Sequence, residues 1–219
     1  MALDALLFDL DGTLTHSDPL HYAAFKHEMA KHNFALSPEI YETRMHGRVN
    51  ADIIRDLLPQ LSDAEGAALS EEKETRFRKD NPKLEPVAGL HQLLNWAKER
   101  GLKMAVVTNA PKVNAAHSVA ALGLATSFDA IITPEDAPPG KPDPAPYLLG
   151  LKELGVEAAN ALAFEDSGSG IKAAIGADLR VVGITSSETK DALQAFGATL
   201  AIPDFSDDAL WDLLVDKQD

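Results

Sequence analysis

LLFDLDGTLT, residues 6–15, sets an apolar run in front of two aspartates, Asp9 and Asp11, that flank a single leucine, with Gly12 directly behind them. Residues 5–8 read as a buried strand, and the two acids fall where that strand stops. A carboxylate held against a core strand costs free energy unless something pairs with it. The rest of the chain should therefore supply the pairing groups.

Further apolar runs rich in Val, Ile, Leu and Phe recur at 103–107, 130–133, 161–164 and 180–184, with a weaker one at 198–202. Helix-like patterns lie between them at 89–100, 111–122, 146–154, 170–177 and 187–196. Several end at a glycine (Gly101, Gly123, Gly155, Gly197), which suits a left-handed helix end. Fully apolar strands alternating with helices predict an α/β fold: a Rossmann-like, doubly wound parallel sheet covered on both faces.

One interval breaks that rhythm. Residues 17–83 contain no convincing strand but carry helical patterns at 19–31, 37–45, 50–58 and 62–79. The spacing predicts a core domain of residues 1–16 and 84–219 with an inserted helical domain at 17–83. Within the last insert helix, EEKETRFRKD reads as a solvated face. PPGKPDPAP, residues 138–146, reads as a rigid loop after a strand and not as a domain linker.

Composition narrows the chemistry. The 219 residues are 45% hydrophobic and 25% charged, with a net charge of −14, an ordinary globular balance. The acidic excess argues against nucleic acid or an anionic membrane as partner, since both need a basic footprint. There is no cysteine, which excludes disulfides, thiolate zinc sites and a cysteine nucleophile. The first residues meet acid at once and lack a basic region, so they are not expected to form a signal peptide. No apolar run is long enough to span a bilayer. The expectation is a soluble, cytoplasmic protein, monomeric or weakly dimeric.

Open parallel sheets bind ligands at the carboxyl ends of their strands, and four polar clusters fall at such ends. They are Asp9-Leu10-Asp11-Gly12-Thr13, Thr108-Asn109, Lys141, and Glu165-Asp166-Ser167-Gly168. Four carboxylates facing one lysine need a further cation. With only oxygen ligands on offer, the expected ion is Mg²⁺. Ion and lysine together leave one negative charge, which a proton on one acid removes. Asp11 is the expected proton carrier. Plainer readings remain open: Asp166 or Ser167 as a helix cap, Thr108-Asn109 as an N-cap, and Lys141 as a solvated loop residue.

DLDGT, TN, GKPDP and EDSGSG, in that order, resemble the haloacid dehalogenase superfamily of phosphotransferases. The resemblance covers the whole chain and is nearest to the branch of phosphoglycolate phosphatases, β-phosphoglucomutases and small sugar-phosphate phosphatases with a helical cap. It implies that Asp9 is a nucleophile forming an aspartyl-phosphate and that Asp11 is the general acid–base. It further implies Mg²⁺ held by Asp9, the Asp11 carbonyl and Asp166, with Glu165 acting through water. The Thr108 hydroxyl and the Asn109 backbone N–H, at a helix start, would clamp a phosphoryl oxygen. Lys141 would offset charge on Asp9 and the phosphoryl group.

Substrate choice in that family is expected from the cap. There, His46, Gly47, Arg48 and Asn50 lie between two helical patterns, and Arg48 is the candidate for a second anionic group or sugar hydroxyls. Its alternative is a surface cation balancing nearby acids. His21 falls where the mutase-like branch has a histidine near the hinge, or else lies on a helix surface. Lys112 reads as a solvated first-turn lysine. Thr13 and Asn50 depart from the mutase pattern, so the expected activity is hydrolysis of a small phosphorylated metabolite, with a hexose-phosphate mutase as the alternative. A haloacid dehalogenase would lack the second aspartate, and a phospho-acceptor signalling domain would be shorter and without the insert.

Overall fold

The sheet grows outward from β1 (Ala5–Phe8), whose four residues are all buried. The computed structural model describes residues 3–45 and 47–215. Contacts divide the chain into two compact units, with the cuts at His16/Ser17 and Leu84/Glu85.

The helical unit holds α1 (Asp18–Ala30), α2 (Pro38–Arg44), α3 (Asn50–Leu57) and α4 (Asp63–Asp80). The other unit continues through α5 (Leu90–Glu99), β2 (Lys103–Val107), α6 (Lys112–Ala121), β3 (Ala130–Ile132) and α7 (Ala145–Leu154). A 3-10 turn precedes β4 (Ala161–Glu165), which is followed by α8 (Gly168–Gly176) and β5 (Arg180–Ile184). The described chain closes with α9 (Lys190–Phe196), β6 (Leu200–Ile202) and α10 (Asp208–Val215). No helix is long and apolar enough to cross a membrane among the described residues.

All strand pairings in this sheet are parallel, in the order β3-β2-β1-β4-β5-β6. The chain winds outward from β1 through β2 and β3, then returns to the other side of β1 for β4, β5 and β6. The reversal of strand order falls between β1 and β4, where such sheets open a crevice at their carboxyl ends. Side chains alternate across the sheet. Leu7, Val107, Ala163 and Val181 join the core formed with α7, α8 and α9. Phe8 stacks on Phe164 at 5.0 Å between ring centroids, and Phe205 meets both rings edge-on.

Three differences from the sequence expectation have physical reasons. The weaker strand at 198–202 begins only at Leu200, because Gly197 closes α9 with φ 115° and Ala198 N–H returns to the Leu193 carbonyl. Helix α10 was not expected: DALWDLLV is mostly apolar but only about two turns long, and its buried face rests on the single pair Leu210 and Leu214, too short a run to display a helical period. The solvated-face reading of α4 is corrected. Lys73, Glu74 and Phe77 are all buried, because α4 packs on α1. There Lys73 Nζ lies 4.5 Å from the Phe25 ring centroid and donates to Glu74 Oε1 at 2.7 Å.

The same helix pair encloses Glu28, only 2% exposed, which accepts from Arg76 Nε at 2.7 Å and pairs with Lys31. Burial pushes the Glu28 carboxyl upward. The bonds and charges of Arg76 and Lys31 outweigh it, and the net shift is below the ordinary value. A carboxyl lowered on folding stabilises above its unfolded value, about 4.3, and loses that contribution as pH falls through the lower folded value. Glu28→Gln should therefore lower the unfolding midpoint by about 5 °C at pH 7. The gap between variant and wild type should close in acid, as thermal melts at both pH values would show.

Candidate active site

Strand register sets the site. Phe8 is level with Phe164, and the Asp9 N–H donates to the Phe164 carbonyl at 2.9 Å. Asp9 and Glu165, the next residues on adjacent parallel strands, are thereby brought side by side. Asp9, Glu165 and Asp166 each offer a carboxylate oxygen within 4.8 Å of the others, and all three are buried. Asp11 is half-buried in the turn that follows β1, where it forms a bridge with Thr15.

Lys141 enters from the proline-rich loop after β3 and is only 7% exposed, so the solvated-lysine alternative does not hold. Its Nζ donates to Asp9 Oδ1 at 2.7 Å and to Glu165 Oε1 at 2.5 Å. Burial disfavours the ammonium, but the Asp9 and Glu165 charges outweigh it and hold Lys141 above its ordinary value. Asp9 remains well above the usual carboxylate range, first through burial and then through the Glu165 and Asp166 charges, despite the opposing pull of Lys141. This is a site short of positive charge.

Gly12 carries the chain through φ 82°, and a Cβ there would lie 2.0 Å from Asp166 Oδ2. Only glycine combines that backbone with that approach. Ser167 takes the capping role at α8, accepting from Gly170 N–H at 3.1 Å, so Asp166 is not the helix cap.

Thr108 is buried at the end of β2, and its Oγ1 accepts from Ala110 N–H at 3.0 Å. The expected helix start at Asn109 is corrected: Pro111 holds the N-cap position and α6 begins at Lys112. Instead, the Asn109 side chain brackets the backbone of Lys141, donating to its carbonyl at 3.0 Å and accepting from its N–H at 2.9 Å. Lys112 pairs on the surface with Asp136 at 2.7 Å.

Sequence reasoning missed three hydroxyls around the acids. Tyr147 donates to Glu165 Oε1 at 2.6 Å. Ser186 donates to the Gly12 carbonyl at 2.6 Å, and Ser187 to Asp166 Oδ2. The signal for the serines was their place just beyond the carboxyl end of β5, a position equivalent to the other four clusters.

The remaining candidates belong to the helical unit. Arg48 Nη1 donates to Asp56 Oδ2 at 3.0 Å and to the Arg44 carbonyl at 2.6 Å. His21 stacks on Phe77, 4.1 Å between centroids, with Nδ1 2.9 Å from Lys73 Nζ. Gly47 turns the chain at φ 69° between α2 and α3, and Asn50 Nδ2 donates to Glu74 Oε1. His46 lies outside the described residues.

The sequence matches the haloacid dehalogenase-like hydrolase family over residues 6–184. It is 30% identical over 217 residues to a phosphorylated carbohydrates phosphatase of Thermotoga maritima, covering 92% of this chain and 95% of the relative. It is 35% identical to a phosphoglycolate phosphatase of Pectobacterium atrosepticum over 191 residues, 84% of this chain and 81% of that one. Among solved structures it is similar to a CbbY mutant from Rhodobacter sphaeroides in complex with xylulose-(1,5)bisphosphate. The TM-score is 0.85 at 26% identity, covering 94% of this chain and 96% of the other.

Proposed function

Because this chain belongs to the haloacid dehalogenase-like hydrolase family, we propose that it is a Mg²⁺-dependent phosphatase of small phosphorylated metabolites, working through an aspartyl-phosphate on Asp9. The observation that carries the reading is the convergence of the Asp9, Glu165 and Asp166 carboxylates around a single lysine.

The residues fit a hard divalent cation. The donors are oxygens alone, and Glu165 Oε2 is buried without a hydrogen-bond partner. Asp9, the Asp11 carbonyl and Asp166 would hold the ion, with Glu165 reached through water. When bound, Mg²⁺ supplies positive charge to the phosphoryl oxygens and to the crowded acids.

In the first half-reaction an Asp9 carboxylate oxygen forms a bond to phosphorus as the ester P–O bond breaks, and Asp11 gives its proton to the departing alkoxide. In the second, Asp11 takes a proton from water as that water attacks phosphorus. The bond to Asp9 then breaks and inorganic phosphate leaves. Thr108 Oγ1 already accepts a bond from Ala110, which leaves its proton for a phosphoryl oxygen. The Asn109 N–H would act beside it, while the Asn109 side chain keeps the Lys141 loop in place.

Sugar phosphates or a phosphoglycolate-like acid are the substrate class, by analogy with the relatives. His21, Gly47 and Arg48 are retained as substrate-reading candidates. For Arg48 this role requires its guanidinium to leave Asp56, with which it now pairs.

Phosphate release across a panel of phosphoglycolate, hexose phosphates and pentose phosphates tests the reading. Activity should vanish with EDTA and return with excess Mg²⁺. Undiminished turnover in chelator would refute the metal role. Interconversion of β-glucose 1-phosphate and glucose 6-phosphate, primed by a bisphosphate and without phosphate release, would replace the phosphatase by the mutase.

A further inference from the structure

Tyr147 is wholly buried on α7, in the core between that helix and the sheet. A buried tyrosine spends its hydroxyl on a hydrogen-bond partner, and here that partner is Glu165 Oε1 at 2.6 Å. The same oxygen also accepts from Lys141 Nζ, which lies 5.2 Å from the Tyr147 ring centroid. Burial, followed by the charges of Glu165 and Asp9, pushes the phenol well above its ordinary value, so the hydroxyl keeps the proton that it donates.

Glu165 is confined on another side as well. A Cβ on Gly170 would lie 1.9 Å from Glu165 Oε2 and 2.2 Å from Oε1, so the carboxylate rests directly on the backbone of α8. Two donors thus share Oε1, while Oε2 is buried with no hydrogen-bond partner. Leaving a buried carboxylate oxygen bare is costly. The arrangement makes sense where that oxygen is kept for a ligand carrying positive charge or bound water.

We propose that Tyr147 is a positioning residue: its hydroxyl, with Lys141, fixes the Glu165 carboxylate so that Oε2 stays available to the cation environment shared with Asp9 and Asp166. This rests on the metal-dependent reading above. A phenylalanine would fill the same core space, so packing alone gives the hydroxyl no purpose. Groups that orient a metal-binding carboxylate commonly govern affinity for the ion as strongly as 10–100-fold.

The test is Tyr147→Phe, which keeps the ring and removes one oxygen. Calorimetric titration of the metal-free protein with Mg²⁺ should show affinity about tenfold weaker than wild type. At saturating Mg²⁺ much of kcat should return, whereas a variant with a disordered core would stay impaired. In a Glu165→Gln background the Tyr147→Phe change should add less than about twofold, because the two substitutions remove one interaction. Mg²⁺ affinity within about twofold of wild type, or full additivity with Glu165→Gln, would overturn the proposal while leaving the phosphatase reading standing. A wild-type protein that takes up no Mg²⁺ and hydrolyses no ester would overturn both.

Discussion

Asp9→Asn should reduce kcat on the best phosphomonoester by about 10⁴-fold or more, the scale on which removal of an attacking group ends covalent catalysis. The amide has nearly the same shape, so loss of activity cannot be assigned to a cavity. It also removes one negative charge from a cluster in which Asp9, Glu165 and Asp166 crowd together. The folded protein should therefore keep its melting temperature, or gain slightly, while turnover disappears. That opposition of stability and activity is the informative part, because a merely structural aspartate would lose both. Acid-quenched wild-type enzyme should carry a phosphoryl group on the peptide containing Asp9, and the variant should not. A variant retaining a tenth of wild-type turnover would remove Asp9 from the role of nucleophile.

The strands were legible because each central one is a short apolar run, led in β2 and β5 by one basic residue, Lys103 and Arg180, that ends at a polar residue. Burial on both faces of a parallel sheet leaves no room for alternation. Asp9, Glu165 and Asp166 were legible for a related reason: charged residues directly at the end of such runs are anomalous unless they serve one another, and Lys141 was read from the rigid proline-rich loop that follows β3. Tyr147 gave no comparable signal, since in APYLLG it reads as one more apolar helix position. Its partner, Glu165, is 18 residues further on and reached only through the fold. Asn109 was picked for its backbone, but the side chain forms the bonds to the Lys141 loop, a distinction that residue type does not carry. The polarity of Lys73 and Glu74 hid their burial, because their mutual ion pair within α4, beside the Arg76–Glu28 pair that joins α4 to α1, substitutes for the apolar face that periodicity detects.

Lys141→Met should damage both stability and catalysis, and the two losses should respond differently to conditions. Lys141 holds Asp9 and Glu165 through a pair of buried bonds. Removing the cation leaves two carboxylates facing each other, at a cost of roughly 3–5 kcal/mol in the metal-free protein. The direction with pH follows from Asp9, whose carboxyl is raised on folding by burial and by the adjacent acids. A carboxyl raised in the folded state contributes stability below its unfolded value, about 3.9, and that contribution is lost as pH rises through the higher folded value. Without Lys141 to oppose the rise, the variant should melt closest to wild type near pH 4 and fall furthest behind at pH 8, with EDTA present throughout. Mg²⁺ should recover part of the stability, because it replaces missing positive charge beside the same acids. It should not recover turnover, for which the expected loss is about 10²–10³-fold in kcat, since the proposed mechanism uses Lys141 as a fixed donor beside the phosphoryl group. Equal stability of variant and wild type at pH 8 without metal would mean that the acids are already neutralised by something other than this lysine.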